Sequence, residues 1–335
     1  MNTKKTAVIL FNLGGPDSLE AVEPFLFNLF NDPAIIGLPG IFRTFLAKLI
    51  SKKRGPKARG IYAQMGGRSP ILPNTQAQAR ALESTLKPHG NYKVFICMRY
   101  WHPMSEETAK QVQQFAPDEI ILLPLYPQFS TTTTASSFKD WKRICSKLKI
   151  KTPTRSVCCY PVEREFITAE AQLIRSAYQQ ASEVGTPRIL FSAHGLPEKI
   201  IKKGDPYQWQ VEQTTAAIVR EMDIFGLDFV NCYQSRVGPL KWIGPSTEDE
   251  IARAAEDGKP IILVPIAFVS EHSETLVELD VEYRELAEHH GMKHYFRVPT
   301  VSVDAHFIAA LKDLVLGGSF GIEGCTQFRC CPQRA

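Results

Sequence analysis

The chain has 335 residues, a hydrophobic fraction of 44% and a formal net charge of +4. This length is enough for two domains of ordinary size, and the hydrophobic fraction excludes a mainly disordered chain. The charge is too small to indicate a nucleic-acid partner, and no apolar run reaches the about 18 residues that a membrane-spanning helix needs.

The first apolar run imitates a secretory signal, because Lys4 and Lys5 precede the sequence AVILFNL. No A-x-A cleavage motif follows it, and Gly14, Gly15 and Pro16 end the run. We therefore interpret this run as a first buried strand and expect a cytoplasmic protein.

The first half of the chain alternates predicted strands with predicted helices. The sequence predicts strands at residues 6–13, 92–98 and 119–125, and helices at residues 19–30, 75–86, 106–114 and from 130 towards 147. This alternation indicates an α/β fold with a parallel, doubly wound sheet.

Residues 35–50 are rich in Ile, Leu and Phe and lead into the basic sequence SKKRGPKAR. One interpretation of the basic part is an exposed, solvated loop. The other is an apolar lip with a basic collar, suited to an amphiphilic acidic ligand or to peripheral contact with the anionic inner face of the cell membrane. The collar would consist of Lys48, Lys52, Lys53, Arg54, Lys57 and Arg59.

The pattern restarts after Thr152 and Pro153. Strands are predicted at residues 154–158, 188–192, 229–233, 260–269 and 293–298, and helices at residues 163–182, 207–222, 247–256, 270–289 and 304–315. We predict one domain from residues 1–152 with 303–320, a second from residues 153–302, and a cysteine-containing tail at residues 321–335. Two similar α/β domains with a cleft between them are the natural assembly.

Candidate functional residues follow the ends of predicted strands. His194 follows ILFSA, His272 follows IAFVS, and Arg99 with Tyr100 follows VFICM. A lone histidine is more often structural, but several such residues at the carboxyl ends of strands favour a ligand site.

A column of carboxylates begins at one of these strand ends. Glu274, Glu278 and Glu282 are spaced i, i+4 and i+8, which places them on one face of a predicted helix. A solvated acidic face is the alternative interpretation, because like charges at this spacing repel each other. The position beside a strand end favours a cation site.

Several enzyme classes lack their motif in this chain. The sequence after the first strand is GGP and not GxGxxG, and neither a GxSxG elbow nor a Walker A sequence is present. The remaining chemistry is imidazole with carboxylate, which can bind or pass a divalent cation such as Fe(II) and can take up protons.

Three long segments resemble motifs of ferrochelatases, the enzymes that insert Fe(II) into a porphyrin: LFSAHGLPEKIIKKGDPY, NCYQSRVGPLKWIGPSTEDEI and VPIAFVSEHSETLVELDVEY. NLGGP, CMRYWHP and YPQFSTTTT are also similar to ferrochelatase motifs. The chain resembles the bacterial type of ferrochelatase. This resemblance implies two Rossmann-like domains, each with a four-stranded parallel sheet flanked by helices. It further implies that Fe(II) enters protoporphyrin IX to give protohaem. A coproporphyrin-specific ferrochelatase and a non-catalytic haem or porphyrin carrier are the alternatives.

The resemblance also implies roles for individual residues. His194 and Glu274 would be the catalytic pair and would hold the iron substrate, with Glu274 facing His194 across the macrocycle. Glu278 and Glu282 would complete an acidic column. An imidazole with an ordinary pKa of about 6.5 is a suitable acceptor for pyrrole protons, and distortion of the ring would expose the nitrogen lone pairs. The porphyrin-binding positions would be Leu13, Arg54, Tyr62, Ser69, Arg99, Tyr100, Trp242 and Phe268.

The eight cysteines are unevenly spaced. Cys97, Cys145 and Cys232 are scattered and are interpreted as structural thiols. Some bacterial ferrochelatases hold a [2Fe-2S] cluster, and the resemblance implies one here, held by cysteine thiolates. An unliganded tail is the alternative interpretation, since adjacent cysteines depart from the expected spacing. The implied ligands are Cys158, Cys325, Cys330 and Cys331, with Cys159 as the alternative to Cys158.

Overall fold

The computed structural model describes residues 4–236, 238 and 240–317. The strands within these residues are β1 (Lys5–Asn12), β2 (Asn91–Met98), β3 (Glu119–Pro124), β4 (Thr154–Ser156), β5 (Arg188–His194), β6 (Asp228–Gln234), β7 (Ile261–Val264) and β8 (Tyr295–Arg297). The α-helices within them are α1 (Val22–Phe30), α2 (Gly40–Gln64), α3 (Ile71–Leu86), α4 (Ser105–Phe115), α5 (Thr134–Lys147), α6 (Arg164–Ser182), α7 (Glu198–Lys202), α8 (Tyr207–Met222), α9 (Thr247–Glu256), α10 (Tyr283–His289) and α11 (Ala305–Leu316). A π-helix, Glu274–Glu282, leads directly into α10.

The strands form two parallel four-stranded sheets, with the orders β2-β1-β3-β4 and β6-β5-β7-β8. The central strands β1 and β5 are buried along nearly their whole length. Continuous apolar runs of this kind are typical of parallel strands that helices cover on both faces. The predicted fold class, α/β with two four-stranded parallel sheets flanked by helices, is confirmed.

Each sheet forms the centre of one compact unit. Within the described residues, the first unit comprises residues 4–159 and 311–317, and the second comprises residues 160–310. The boundaries predicted from the sequence, after residues 152 and 302, lie seven and eight residues earlier in the chain. The first core packs Phe11 of β1 edge-on against Phe138 and Trp141 of α5.

The strand predicted at residues 154–158 joins the first sheet and does not open the second. β4 is three residues long and pairs with β3, with Thr154 opposite Ile120. The backbone N–H of Val157 continues the ladder by donating to the carbonyl of Leu122 at 2.9 Å. A strand this short has too few alternating residues to show from its own sequence which sheet it joins.

The stretch predicted as a strand followed at once by a helix is more irregular. The strand ends at Val264 because Pro265 has no N–H with which to continue the ladder. Helical structure begins at Glu274 and not at Ser270, and its first two turns form a π-helix. π-Helical turns are rare and occur frequently at functional sites.

The basic sequence after residue 50 is helical and is not a loop. Helix α2 has 25 residues and runs through Pro56. Its buried face includes Ala47, Ser51 and Gly55 at a four-residue spacing, and it packs against α1. This packing explains why the helix continues through a residue that removes one backbone hydrogen bond. None of the helices in the described part of the chain combines the length and the hydropathy that crossing a bilayer requires.

Candidate active site

Three neighbouring strands of the second sheet end side by side at its carboxyl edge. β5 ends at His194, between β6, which ends at Gln234, and β7, which ends at Val264. His194 lies opposite Gln234 in the register. A Cβ on Gly195 would lie 3.0 Å from the carbonyl oxygen of Gln234, so the close approach of these two segments favours glycine. Ligands of open α/β sheets bind at this kind of edge.

His194 and Glu274 form a direct side-chain pair at this edge. Nδ1 of His194 lies 2.9 Å from Oε2 of Glu274. The two side chains are 41% and 26% exposed, so solvent and small ligands can reach the pair. Within the described residues, Nδ1 is the ring nitrogen of His194 that is hydrogen-bonded to the protein. The other ring nitrogen is therefore available to a substrate.

Ser235, which the sequence analysis did not select, connects Glu274 to Glu278. Its Oγ lies 3.2 Å from Oε2 of Glu274 and 2.6 Å from Oε2 of Glu278. Its backbone N–H donates to Oε1 of Glu278 at 2.9 Å. The φ angle of Ser235 is 59°, in the left-handed region that non-glycine residues rarely adopt. Strain of this kind is concentrated at functional sites, but no sequence pattern around a serine reveals it.

The three ionisable groups change one another's pKa. Burial alone would lower the pKa of His194, but the charge and hydrogen bond of Glu274, together with the charge of Glu278, outweigh burial and raise it. Burial opposes ionisation of Glu274, yet His194 and Ser235 lower the pKa of Glu274. Burial and the charge of Glu274 raise the pKa of Glu278 to about 7. Such a separation between two carboxyl groups is typical of sites that move protons.

The predicted acidic column is shorter than the sequence pattern. Glu274 and Glu278 both lie on the π-helix and contact Ser235. Glu282, the last residue of the π-helix, is exposed. No hydrogen bond or ion pair of Glu282 is found among the described residues. It therefore lies outside the cluster.

Two predicted porphyrin-binding residues of the second unit lie close to the pair. Trp242 packs near Gly195, the residue after His194. Phe268 is partly buried and makes an edge-on contact with the ring of His272, with centroids 4.6 Å apart. His272 is buried, and burial lowers its pKa despite the nearby carboxylates. This histidine is therefore neutral at neutral pH.

In the first unit, Leu13 follows β1, Ser69 lies beside Pro16 a few residues later, and Tyr62 and Arg54 lie on α2. Leu13, partly buried, packs against the core, and the hydroxyl of Ser69 accepts a hydrogen bond from the N–H of Ile71 at 3.3 Å. Tyr62 is buried in α2. Arg54 is exposed on α2, with its guanidinium 5.6 Å from the centre of the Phe30 ring.

Arg99 and Tyr100 are held by an aspartate that the sequence analysis missed. Asp32 is 3% exposed and accepts hydrogen bonds from Nη2 of Arg99 at 2.8 Å and from the hydroxyl of Tyr100 at 2.9 Å. Ser136 donates to the same carboxylate and accepts from Nε of Arg99 at 2.8 Å. The guanidinium thus already has protein partners, and Tyr100 is buried. The sequence signal for Asp32 was limited to its place three residues before the apolar lip.

The predicted cluster cysteines are only partly within the described residues. Cys158 and Cys159 are buried beside Phe129. Cys325, Cys330 and Cys331 lie outside the described residues. In the described part of the chain, no group of three or more His, Cys, Asp or Glu side chains is arranged to hold a metal ion.

Comparison with known proteins extends these observations. A family model described as "Ferrochelatase" matches residues 5–318. The chain is 56% identical to a ferrochelatase of Caulobacter vibrioides (strain NA1000 / CB15N) over 345 residues, covering 99% of this chain and 98% of that protein. It is 55% identical to a ferrochelatase of Pelagibacter ubique over 315 residues, covering 93% and 91% of the two chains.

Among solved structures, the sirohydrochlorin chelatase SirB from Bacillus subtilis subspecies spizizenii, in complex with cobalt, has a similar fold. The TM-score is 0.54 at 11% sequence identity, covering 97% of this chain and 98% of SirB. At this identity the likeness concerns the fold alone.

Proposed function

The chain belongs to the ferrochelatase family and is a lyase of haem biosynthesis, and from this premise we propose that it inserts Fe(II) into protoporphyrin IX through His194 and Glu274. The observation that carries these residue roles is the hydrogen-bonded His194–Glu274 pair at the end of β5, with Glu278 joined to it through Ser235. The pair combines a proton acceptor with a carboxylate that can meet a cation.

The free ring nitrogen of His194 is the proposed proton acceptor. Formation of protohaem releases two pyrrole protons for each Fe(II) bound, so an acceptor must stand at the porphyrin. Glu274 fixes the orientation of the imidazole through Nδ1 and stabilises the imidazolium that forms. With a carboxylate and an imidazole nitrogen, the pair also offers Fe(II), as a substrate, ligands that suit a brief contact.

The proposed porphyrin-binding residues remain the apolar and polar positions that the family resemblance implies for the porphyrin, namely Trp242, Phe268, Leu13, Tyr62 and Ser69. Among the cations, Arg54 is better placed for a propionate than Arg99. Arg54 is exposed, whereas Arg99 already pairs with Asp32. Tyr100, whose hydroxyl is committed to the same aspartate, would act through packing.

The activity is tested by the loss of free-porphyrin fluorescence when Fe(II) is added to the anaerobic protein. Protoporphyrin IX and coproporphyrin are compared side by side at equal concentration. We expect turnover of protoporphyrin IX with the higher kcat/KM. Turnover of coproporphyrin alone would overturn the proposed substrate, and binding of porphyrin without metallation would indicate a carrier.

A second proposal concerns peripheral membrane contact through the first turns of α2. Ile41, Phe42 and Phe45 are 85%, 68% and 73% exposed, which is unusual for side chains of this size. The exposed cations of the basic collar, Lys48, Lys52, Lys53, Arg54 and Lys57, follow on the same helix. An apolar surface next to such a collar suits an anionic membrane, where each cation near the surface contributes about 1 kcal/mol at low salt.

The membrane proposal predicts binding to vesicles of mixed phosphatidylcholine and phosphatidylserine, weakened by salt, and little binding to phosphatidylcholine alone. The double variant Lys52→Glu/Lys53→Glu should lose this preference in a sedimentation assay. The matched control is Lys139→Glu/Lys142→Glu, which makes the same charge change on exposed positions of α5. Equal partitioning onto both kinds of vesicle would contradict the proposal.

A third proposal is the [2Fe-2S] cluster on Cys158, Cys325, Cys330 and Cys331. Arg155, three residues before Cys158, donates from Nη1 to the carbonyl of Leu314 at 3.5 Å and from Nη2 to that of Val315. The end of α11 therefore lies beside the strand that leads to Cys158. Cys325 is the eighth residue after Gly317, a span of at most about 29 Å when extended, so the length of the chain allows its thiol to reach Cys158. Such a cluster would supply a redox-active centre and would tie the tail to the residues around Cys158.

Anaerobically purified protein should then be reddish-brown and contain about two acid-labile sulfides per chain. Cys158→Ser should lose the colour and the sulfide. Cys145→Ser, a change of a partly buried thiol elsewhere in the first unit, should keep both. Loss of colour and sulfide in Cys159→Ser but not in Cys158→Ser would identify Cys159 as the fourth ligand. Colourless wild-type protein would refute the cluster.

A further inference from the structure

The Glu274–Ser235–Glu278 connection continues beyond the pair towards helix α9. The hydroxyl of Tyr283, the first residue of α10, lies 3.1 Å from Oε1 of Glu278 and 3.1 Å from Oε1 of Glu248. Tyr283 is 4% exposed, whereas Glu248 is only half-buried, in the first turn of α9. A continuous series of hydrogen-bonded oxygens therefore runs from Glu274, the partner of His194, to Glu248, which solvent reaches.

This series contains fewer protons than contacts. Its four contacts between oxygen atoms are Glu274–Ser235, Ser235–Glu278, Glu278–Tyr283 and Tyr283–Glu248. When the carboxyl groups are all ionised, only the two hydroxyl groups carry a proton to share, so two of the four contacts join acceptor to acceptor. One proton on Glu278 and one on Glu248 would complete every contact.

We propose that Tyr283 and Glu248 form the outlet through which pyrrole protons leave the site, passing from His194 by way of Glu274, Ser235 and Glu278. The inference rests on the proposed function and adds two residues that act through Glu278. Each metallation takes two protons from the pyrrole nitrogens and gives two to solvent, so the balance is one Fe(II) bound for two protons released. The path needs no other reactant.

Glu278 and Tyr283 have the properties that a relay needs. Glu274, whose pKa His194 and Ser235 lower against the effect of burial, would hold a proton only briefly. Burial, and then the charges of Glu278 and Glu248, raise the pKa of Tyr283, so its hydroxyl keeps its proton and passes protons by donating on one side while accepting on the other. Glu278, whose pKa is raised to about 7 by burial and by Glu274, can both accept and release a proton near neutral pH. Gln234 Nε2, 3.4 Å from Oε2 of Glu278, and the N–H of Ser235 hold its carboxyl group in place.

The test compares Tyr283→Phe with Tyr295→Phe. Tyr295 is also buried in the second core, and its hydroxyl donates to the carbonyl of Leu279 on the π-helix, outside the relay. In single-turnover metallation, Tyr283→Phe should lower the rate by about tenfold, less than the 10²- to 10⁴-fold of a direct proton acceptor, because slower routes through solvent remain. Its solvent deuterium isotope effect should rise, with the KM for porphyrin unchanged. Tyr295→Phe should change neither quantity.

A second pair of variants avoids the core. Glu248→Gln keeps an acceptor for Tyr283 but cannot take up a proton. The matched control is Asp249→Asn, which removes one acid from the same helical turn. Glu248→Gln alone should slow metallation and raise the isotope effect. Normal rates and isotope effects in both Tyr283→Phe and Glu248→Gln would overturn the outlet while wild-type activity and its dependence on His194 remained. Absence of metallation by the wild-type protein would instead refute the proposed function.

Discussion

Replacing His194 by alanine should lower metallation of protoporphyrin IX by about 10²- to 10⁴-fold, the contribution of a well-placed proton acceptor. The protein should remain folded because the side chain is 41% exposed and is no part of the core. Glu274 would keep its contact with the hydroxyl of Ser235 at 3.2 Å. Single-turnover loss of porphyrin fluorescence measures the rate, and the midpoint of urea unfolding measures the stability.

The chain provides a matched control for this variant. His306 Nδ1 lies 2.7 Å from Oε2 of Glu165, with the two side chains 40% and 29% exposed, so this pair closely repeats the geometry of His194 and Glu274. It joins α11 to α6, and Nε2 of His306 lies 3.2 Å from the side-chain nitrogen of Gln172. His306→Ala should metallate porphyrin at the normal rate. An equal loss of activity in both variants would show that the effect comes from breaking a histidine–carboxylate pair and not from the site.

The second large effect is expected for Glu274→Gln. The glutamine can retain a hydrogen bond to Nδ1 of His194 but removes the charge that stabilises the imidazolium. We expect a fall in kcat of about 10²-fold, at the upper end of what is lost when the partner of a functional histidine is removed. Glu278→Gln should be milder, about tenfold or less, because Glu278 reaches His194 only through Ser235 and through its charge. Near-normal rates in both variants would support the alternative interpretation, in which these carboxylates form a solvated acidic face.

The pH dependence of kcat/KM tests the direction in which Glu274 shifts the pKa of His194. A proton acceptor must be neutral, and Glu274 and Glu278 raise the pKa of His194 against the opposing effect of burial. The acid limb of kcat/KM should therefore lie above the ordinary histidine pKa of about 6.5. In Glu274→Gln the main cause of the increase is lost while burial still lowers the pKa, so the limb should move to lower pH. An acid limb that stays in place would exclude His194 as the titrating base.

The sequence alone was sufficient for the parts of this protein that depend on local pattern. Alternating apolar strands and amphipathic helices predicted two parallel α/β units, and helices α8 and α9 have the predicted bounds. His194 and Glu274 were selected from their positions after strands and from the motif resemblance. The resemblance implied that the two side chains face each other across the macrocycle. That expectation is wrong, because the fold places Nδ1 of His194 2.9 Å from Oε2 of Glu274.

Tertiary structure decided whatever depends on residues that are distant in the chain. β4 joins the first sheet because its hydrogen bonds go to β3, which three residues of sequence do not specify. Asp32 became the partner of Arg99 only when the segment that follows α1 came to lie beside the residues that follow β2. Ser235 joins Glu274 to Glu278 because β6 and β5 are neighbours and because its backbone turns into the left-handed region. Periodicity records which face of an element is buried, whereas the meeting of two polar groups depends on packing free energy summed over the whole core.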